Sequence, residues 1–87
     1  MLELGVELTA EQVLDECRRR GLLVASERRL AGPLGGRHWH LRKPGRAGTL
    51  EVSERSSHVW LKVHPLRDGG WAGDLAREIA DVRPERF

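Results

Sequence analysis

From Gly36 to Pro65 the chain alternates. Trp39 and Leu41, then Leu50 and Val52, then Val59, Leu61 and Val63 recur at every second position, the period of half-buried antiparallel strands. The intervening positions are His38, His40 and Arg42, then Thr49, Glu51 and Ser53, then His58, Trp60, Lys62 and His64. All four histidines therefore fall on the second, polar face of the predicted strands. Strands are expected at about Arg37 to Lys43, Thr49 to Glu54 and His58 to His64. The turns between them use Pro44-Gly-Arg-Ala-Gly48 and Arg55-Ser-Ser57, and Pro65, which has no amide to donate, ends the last strand. Leu22 to Leu30 reads as a strand before these, with Leu22 and Val24 inward and Glu27 and Arg29 outward. Ala31 to Gly36, punctuated by a proline and paired glycines, links it to the next as a flexible loop.

A helical period flanks the strands. Thr9 with Gln12 three residues on is a capping-box pattern opening a helix over residues 9–20, whose apolar stripe is Ala10, Val13, Leu14 and Cys17. Arg18, Arg19 and Arg20 fall in its last turn, favourable against the helix dipole, and Gly21 supplies a left-handed cap. Ala72, Leu75, Ala76 and Ile79 form one face of a closing helix over residues 71–81, with Asp68 placed to cap it and Pro84 to stop the chain beyond it. Trp71 is expected to anchor this helix on the sheet, and Trp39 to lie in the core. Leu2, Leu4, Val6 and Leu8 alternate with acidic or glycine positions, so residues 1–8 read as an additional strand or an extended arm. The expected fold is α+β, a two-layer sandwich of helix, four-stranded antiparallel meander over residues 22–64, and helix. Both helices lie on the aliphatic side of the sheet.

Parity fixes a register. For Trp39 and Leu41 to share a face with Leu50 and Val52, a turn over Pro44 to Ala47 must pair His40 with Glu51 and His38 with Ser53. Across the next hairpin Glu51 then faces Trp60 or Lys62. A polar patch of His40, Glu51, Trp60 and Arg42 follows.

With 87 residues there is room for one modest core and no more. No apolar run approaches the roughly 20 residues of a membrane span, and the acidic, aliphatic beginning is unlike a signal peptide. No membrane role is expected. The single Cys17 cannot form an internal disulfide and predicts a reduced, buried thiol in a cytoplasmic protein. The absence of asparagine, with one glutamine, one methionine and many charges, has the character of a thermophile's composition.

Charge changes the picture more. The total is only +2, but residues 1–17 carry −5, residues 18–67 carry +9 and residues 68–87 carry −2. The positive charge sits on the strands and their edges, where an anionic partner would exploit it.

Three chemistries suit the polar face. A metal ion could be reached by His38 and His40, two apart on one strand, with Glu51 as a third ligand. The paired Cys or His spacings of a zinc motif are lacking, so no metal or other cofactor is expected. For nucleic acid, Trp60 could stack on a base while Arg42, Lys62 and Arg55 meet phosphates, with His40 and His38 beside them. RNA or DNA is the leading partner on this reading. An exposed tryptophan equally suits a homodimer contact, the purely structural alternative. For catalysis, a histidine beside a carboxylate could act as general base in RNA cleavage, with Arg42 or Lys62 stabilising the charged transition state.

The order helix, glycine, strand, then Gly36-Arg-His38-Trp-His40-Leu-Arg-Lys-Pro-Gly45, then strand, resembles HicA-like toxins over about Gln12 to Val52. Those are small ribonucleases with a double-stranded-RNA-binding-type fold and a Gly-Ser-His-His segment before a strand. The resemblance implies a ribonuclease using His38. Arg37 stands in place of the family's serine, Trp39 separates the two histidines, and an extra strand precedes the last helix.

Overall fold

The computed structural model describes residues 1–32 and 35–87; Pro33 and Leu34, in the expected link between the first two meander strands, lie outside the described residues. The chain forms β1 (Leu2–Val6), α1 (Ala10–Arg19), β2 (Leu23–Arg29), β3 (Arg37–Arg42), β4 (Leu50–Arg55), β5 (His58–Val63) and α2 (Ala72–Ala80), with short 3-10 turns at Pro65–Arg67 and Pro84–Arg86. All five strands join one antiparallel sheet in the order β1-β5-β4-β3-β2. The α+β fold expected from the patterning is present. The four meander strands are β2 to β5, and residues 2–6 add a fifth strand beside β5 rather than an arm, pairing Leu4 with Leu61 and Val6 with Val59.

The inward positions make the core. Trp39, Leu41, Leu50, Val52, Val59, Leu61 and Val63 are buried against Val13, Leu14 and Cys17 of α1 and Ala72, Ala76 and Ile79 of α2, with Leu2, Leu4 and Val6 partly buried at the margin. Each aliphatic side chain buried this way contributes about 1.5–3 kcal/mol. The indole of Trp39 lies in this core, and the Arg37 guanidinium sits over its ring at 4.9 Å while bonding Glu54 and Glu11.

Local chemistry terminates the elements as patterned. The Thr9 hydroxyl accepts from the Gln12 amide at 3.2 Å and the Gln12 side chain accepts from the Thr9 amide at 3.0 Å. Gly21, at φ +84°, turns the chain so that the Leu22 amide closes on the Cys17 carbonyl. The arginine triplet is absorbed by acids: Arg18 meets Asp15, while Arg19 and Arg20 clasp the buried carboxylate of Glu16 at 3.0 and 3.4 Å. Arg20 also reaches Glu78, tying α1 to α2. The N-cap of α2 is Trp71 rather than Asp68 and makes no side-chain cap; Asp68, three residues earlier, still satisfies a first-turn amide, its Oδ1 accepting from the Gly73 amide at 3.0 Å.

The Trp71 indole donates to the Ala47 carbonyl at 2.6 Å, and the Thr49 amide donates to the Arg67 carbonyl at 2.7 Å. These bonds pin the β3–β4 loop to the segment entering α2. The two backbones pass so closely that only glycine fits at the crossing. A Cβ on Gly48 would lie 2.8 Å from the Asp68 carbonyl oxygen, and one on Gly69 would run into the Ala47 carbonyl.

One facing expectation fails. Between Val24 and Ser26 the register of β2 on β3 shifts, leaving Ala25 as a bulge. Beyond it the parity inverts: Glu27 lies opposite Trp39, and Arg28, not Arg29, lies opposite His38 on the polar face. Leu22 is buried as expected, but it precedes the strand, and Val24 is exposed. Indeed every residue of β2 is exposed, so this edge strand is held by its pairing with β3 rather than by a core.

Candidate functional site

Among the described residues, no helix or strand covers the sheet face opposite the helices. It is lined in cross-strand rows: Arg28, His38, Ser53, Trp60 and Gly5 form one row, and Ser26, His40, Glu51, Lys62 and Glu3 the next. The register agrees with the parity argument, pairing His38 with Ser53 and His40 with Glu51, and it resolves the second hairpin in favour of Lys62 opposite Glu51.

At the centre of this face three atoms converge. His38 Nε2 lies 3.0 Å from His40 Nε2 and 3.0 Å from Glu51 Oε1, and His40 Nε2 lies 3.2 Å from the same carboxylate oxygen. The two imidazoles stand edge to face, centroids 4.8 Å apart and planes at 81°. The second nitrogen of His38, Nδ1, is 2.7 Å from the hydroxyl of Ser53, itself buried to 3% exposure. The side chains of His38 and Glu51 retain about a fifth of their surface, and that of His40 about a third. The cluster is thus partly open to solvent while its side chains contact one another.

Around it the cations are unequal. Arg42 is exposed at the end of β3, opposite Leu23. Lys62 flanks Glu51 and makes a loose pair with Glu3 at 3.6 Å. Arg55 donates to the Gly35 carbonyl at 3.2 Å and, with Arg29, Arg37, Ser56 and Ser57, borders a recess at the β4–β5 turn. Trp60 is half-buried between Ser53 and Gly5.

The structure thus brings His38, His40 and Glu51 into contact, sets Trp60 and Lys62 beside them, and places Arg42 and Arg55 at opposite ends of the face. His58 is exposed at the hairpin, and His64 uses its Nδ1 to accept from the Leu66 amide, so neither joins the cluster. One contributor escaped sequence reasoning and another was read only in part. Ser53 was visible as a partner of His38, but its hydrogen bond to that ring was not. Arg28 is brought to the face by the bulge, which no residue in Leu-Val-Ala-Ser-Glu announces. No protein-family model, curated protein or solved structure matches the chain.

Proposed function

We propose that the uncovered sheet face binds single-stranded nucleic acid, with RNA the first candidate, in a cytoplasmic setting. The observation that carries this reading is a face free, among the described residues, of covering elements, on which a half-buried tryptophan on β5 shares the sheet with Lys62 on the same strand, Arg55 on β4, Arg42 on β3 and Arg28 on β2. On this face Arg28, Arg42, Arg55 and Lys62 outnumber the two acids, Glu3 and Glu51. The field presented to a ligand is accordingly positive. Trp60 supplies the stacking platform, and the cations meet phosphates spaced along the strands.

The ribonuclease alternative asks more of His38. Both its ring nitrogens are engaged, Nδ1 by Ser53 and Nε2 by Glu51 and His40. It would have to release one before accepting a substrate proton. A homodimer through this face or through the free edge of β2 is the remaining reading.

Titrating labelled single-stranded RNA at low and physiological salt, with the products run on a gel, separates the three. Binding is expected to weaken with salt, log K falling with a slope of about −2 to −3 if three to four phosphates are neutralised. Arg42→Ala should reduce that slope by roughly one contact, and Trp60→Ala should weaken binding by about 1–3 kcal/mol with the slope unchanged. Cleaved RNA, with cleavage lost in His38→Ala, would instead select the ribonuclease. No binding at either salt, with a dimer in sedimentation, would select self-association.

A further inference from the structure

The His38–His40–Glu51 triangle has a property that its hydrogen bonds do not explain. Each Nε2 offers either one proton or one in-plane lone pair, and an ionised carboxylate only accepts. If both Nε2 atoms carry protons, two N–H groups oppose each other across 3.0 Å. If either lacks one, its lone pair faces the Glu51 oxygen at 3.0 or 3.2 Å. With Glu51 ionised, no placement of protons makes all three contacts attractive at once. A cation held by three converging lone pairs does.

The geometry points to a mononuclear site for a borderline divalent transition-metal ion of the zinc class, ligated by His38 Nε2, His40 Nε2 and Glu51 Oε1. The spacing fits: donors held at about 2.0–2.1 Å around a tetrahedral ion are separated by about 3.3 Å, close to the three edges of 3.0, 3.0 and 3.2 Å. Two imidazoles and one carboxylate favour zinc, cobalt, nickel or copper over magnesium and calcium, which prefer all-oxygen sets. Three protein ligands on a solvent-facing sheet leave a fourth position open to water or to an anionic ligand, the arrangement of reactive rather than purely structural zinc sites.

Ser53 completes the design. When His38 ligates through Nε2 its remaining proton sits on Nδ1, and the buried Ser53 hydroxyl is in place to accept it at 2.7 Å. Such a contact fixes the tautomer and the ring orientation. Ser53 is thus a positioning residue for the ion. Three neighbouring strand positions on β3 and β4 supply every ligand, so the site is built on the rigid centre of the sheet. This site does not depend on the nucleic-acid reading.

The test is calorimetric titration of zinc chloride into the untagged, chelator-stripped full chain, repeated with cobalt to read the visible bands of a low-coordinate ion. One ion per chain is expected, with affinity falling on acidification as protons compete for the imidazoles. Glu51→Gln and His40→Gln should each weaken binding on the order of a hundredfold or more, and Ser53→Ala by about tenfold. The pair His58→Gln and His64→Gln should leave it unchanged. Absence of binding, or binding that survives both Glu51→Gln and His40→Gln, would overturn the site. Should those variants fail to fold, the wild-type chain decides: zinc must shift the ring resonances of His38 and His40 and spare those of His58 and His64, and the reverse pattern refutes the assignment.

Discussion

Cys17 illustrates how burial makes an ordinary side chain matter to stability. It sits fully buried on the inner stripe of α1, and its thiol is pushed up to about 12 by desolvation, with Arg20 pulling the other way and Glu16 adding to the rise. In the unfolded chain the same thiol ionises near its ordinary value of about 8.5. The folded state holds its proton where the unfolded state does not. Its contribution is therefore complete below about pH 8.5 and is lost as pH rises toward about 12. The slope approaches about 1.4 kcal/mol per pH unit in that window. Urea midpoints across the alkaline range should fall in the wild-type chain and fall less steeply in Cys17→Ala, whose overall stability is lower for the cavity it leaves. At this scale the sequence was an uneven guide. Alternation placed Glu51 beside His40 because a hairpin register is a parity argument, and parity survives ignorance of side-chain angles. That the two Nε2 atoms and one carboxylate oxygen meet at a point depends on those angles, and no spacing encodes them. Zinc-type motif spacings describe ligands on loops and helices, so their lack says little about two histidines on one strand and a carboxylate on its neighbour.

Among the elements, the β4–β5 hairpin carries the clearest local conflict. Arg55 pairs with His58 across two residues, Ser56 and Ser57, which have φ of +50° and +68°. A two-residue turn with both φ positive matches the twist of the strands, but serine enters that region less readily than asparagine or glycine. The double substitution Ser56→Asn with Ser57→Gly should stabilise the fold by about 0.5–1 kcal/mol, seen as a rise in the urea midpoint with an unchanged slope. A lower midpoint would mean that the serine hydroxyls contribute contacts outweighing the backbone relief. The strands and helices themselves were legible within a residue or two, since the periods of two and 3.6 are enforced by one shared core. The β2 strand departs from that rule for a physical reason. No helix lies over it, so neither face is selected by burial, and a bulge that inverts its parity is tolerated. Its pattern Leu-Val-Ala-Ser-Glu-Arg-Arg cannot reveal an inversion that no core opposes.

For the whole molecule, the sheet divides the residues: one face is spent on the core, and the other is left uncovered by any helix or strand among the described residues. Among the described residues no helix is long and apolar enough to cross a membrane. The segregation of charge read along the chain survives folding in modified form. Much of the arginine in α1 is neutralised by Glu16, Asp15 and Glu78, while the strands keep their excess. The order of the strands has a different consequence. Strands β2 to β5 pair with their neighbours along the chain, but β1 pairs with β5, so Val6 must wait for Val59. Pairing of such distant segments is entropically slow. The meander should form first and the N-terminal strand dock last, on an edge already made. Leu4→Ala, at the half-buried centre of β1, should then speed unfolding and leave the folding rate nearly untouched. Val52→Ala, in the buried middle of β4, should slow folding. During synthesis the same topology brings β1 out of the ribosome well before the strand it pairs with, and makes it the last of the five to find its place. Until β5 emerges, its alternating leucines and valine remain exposed to whatever else in the cell can pair with them.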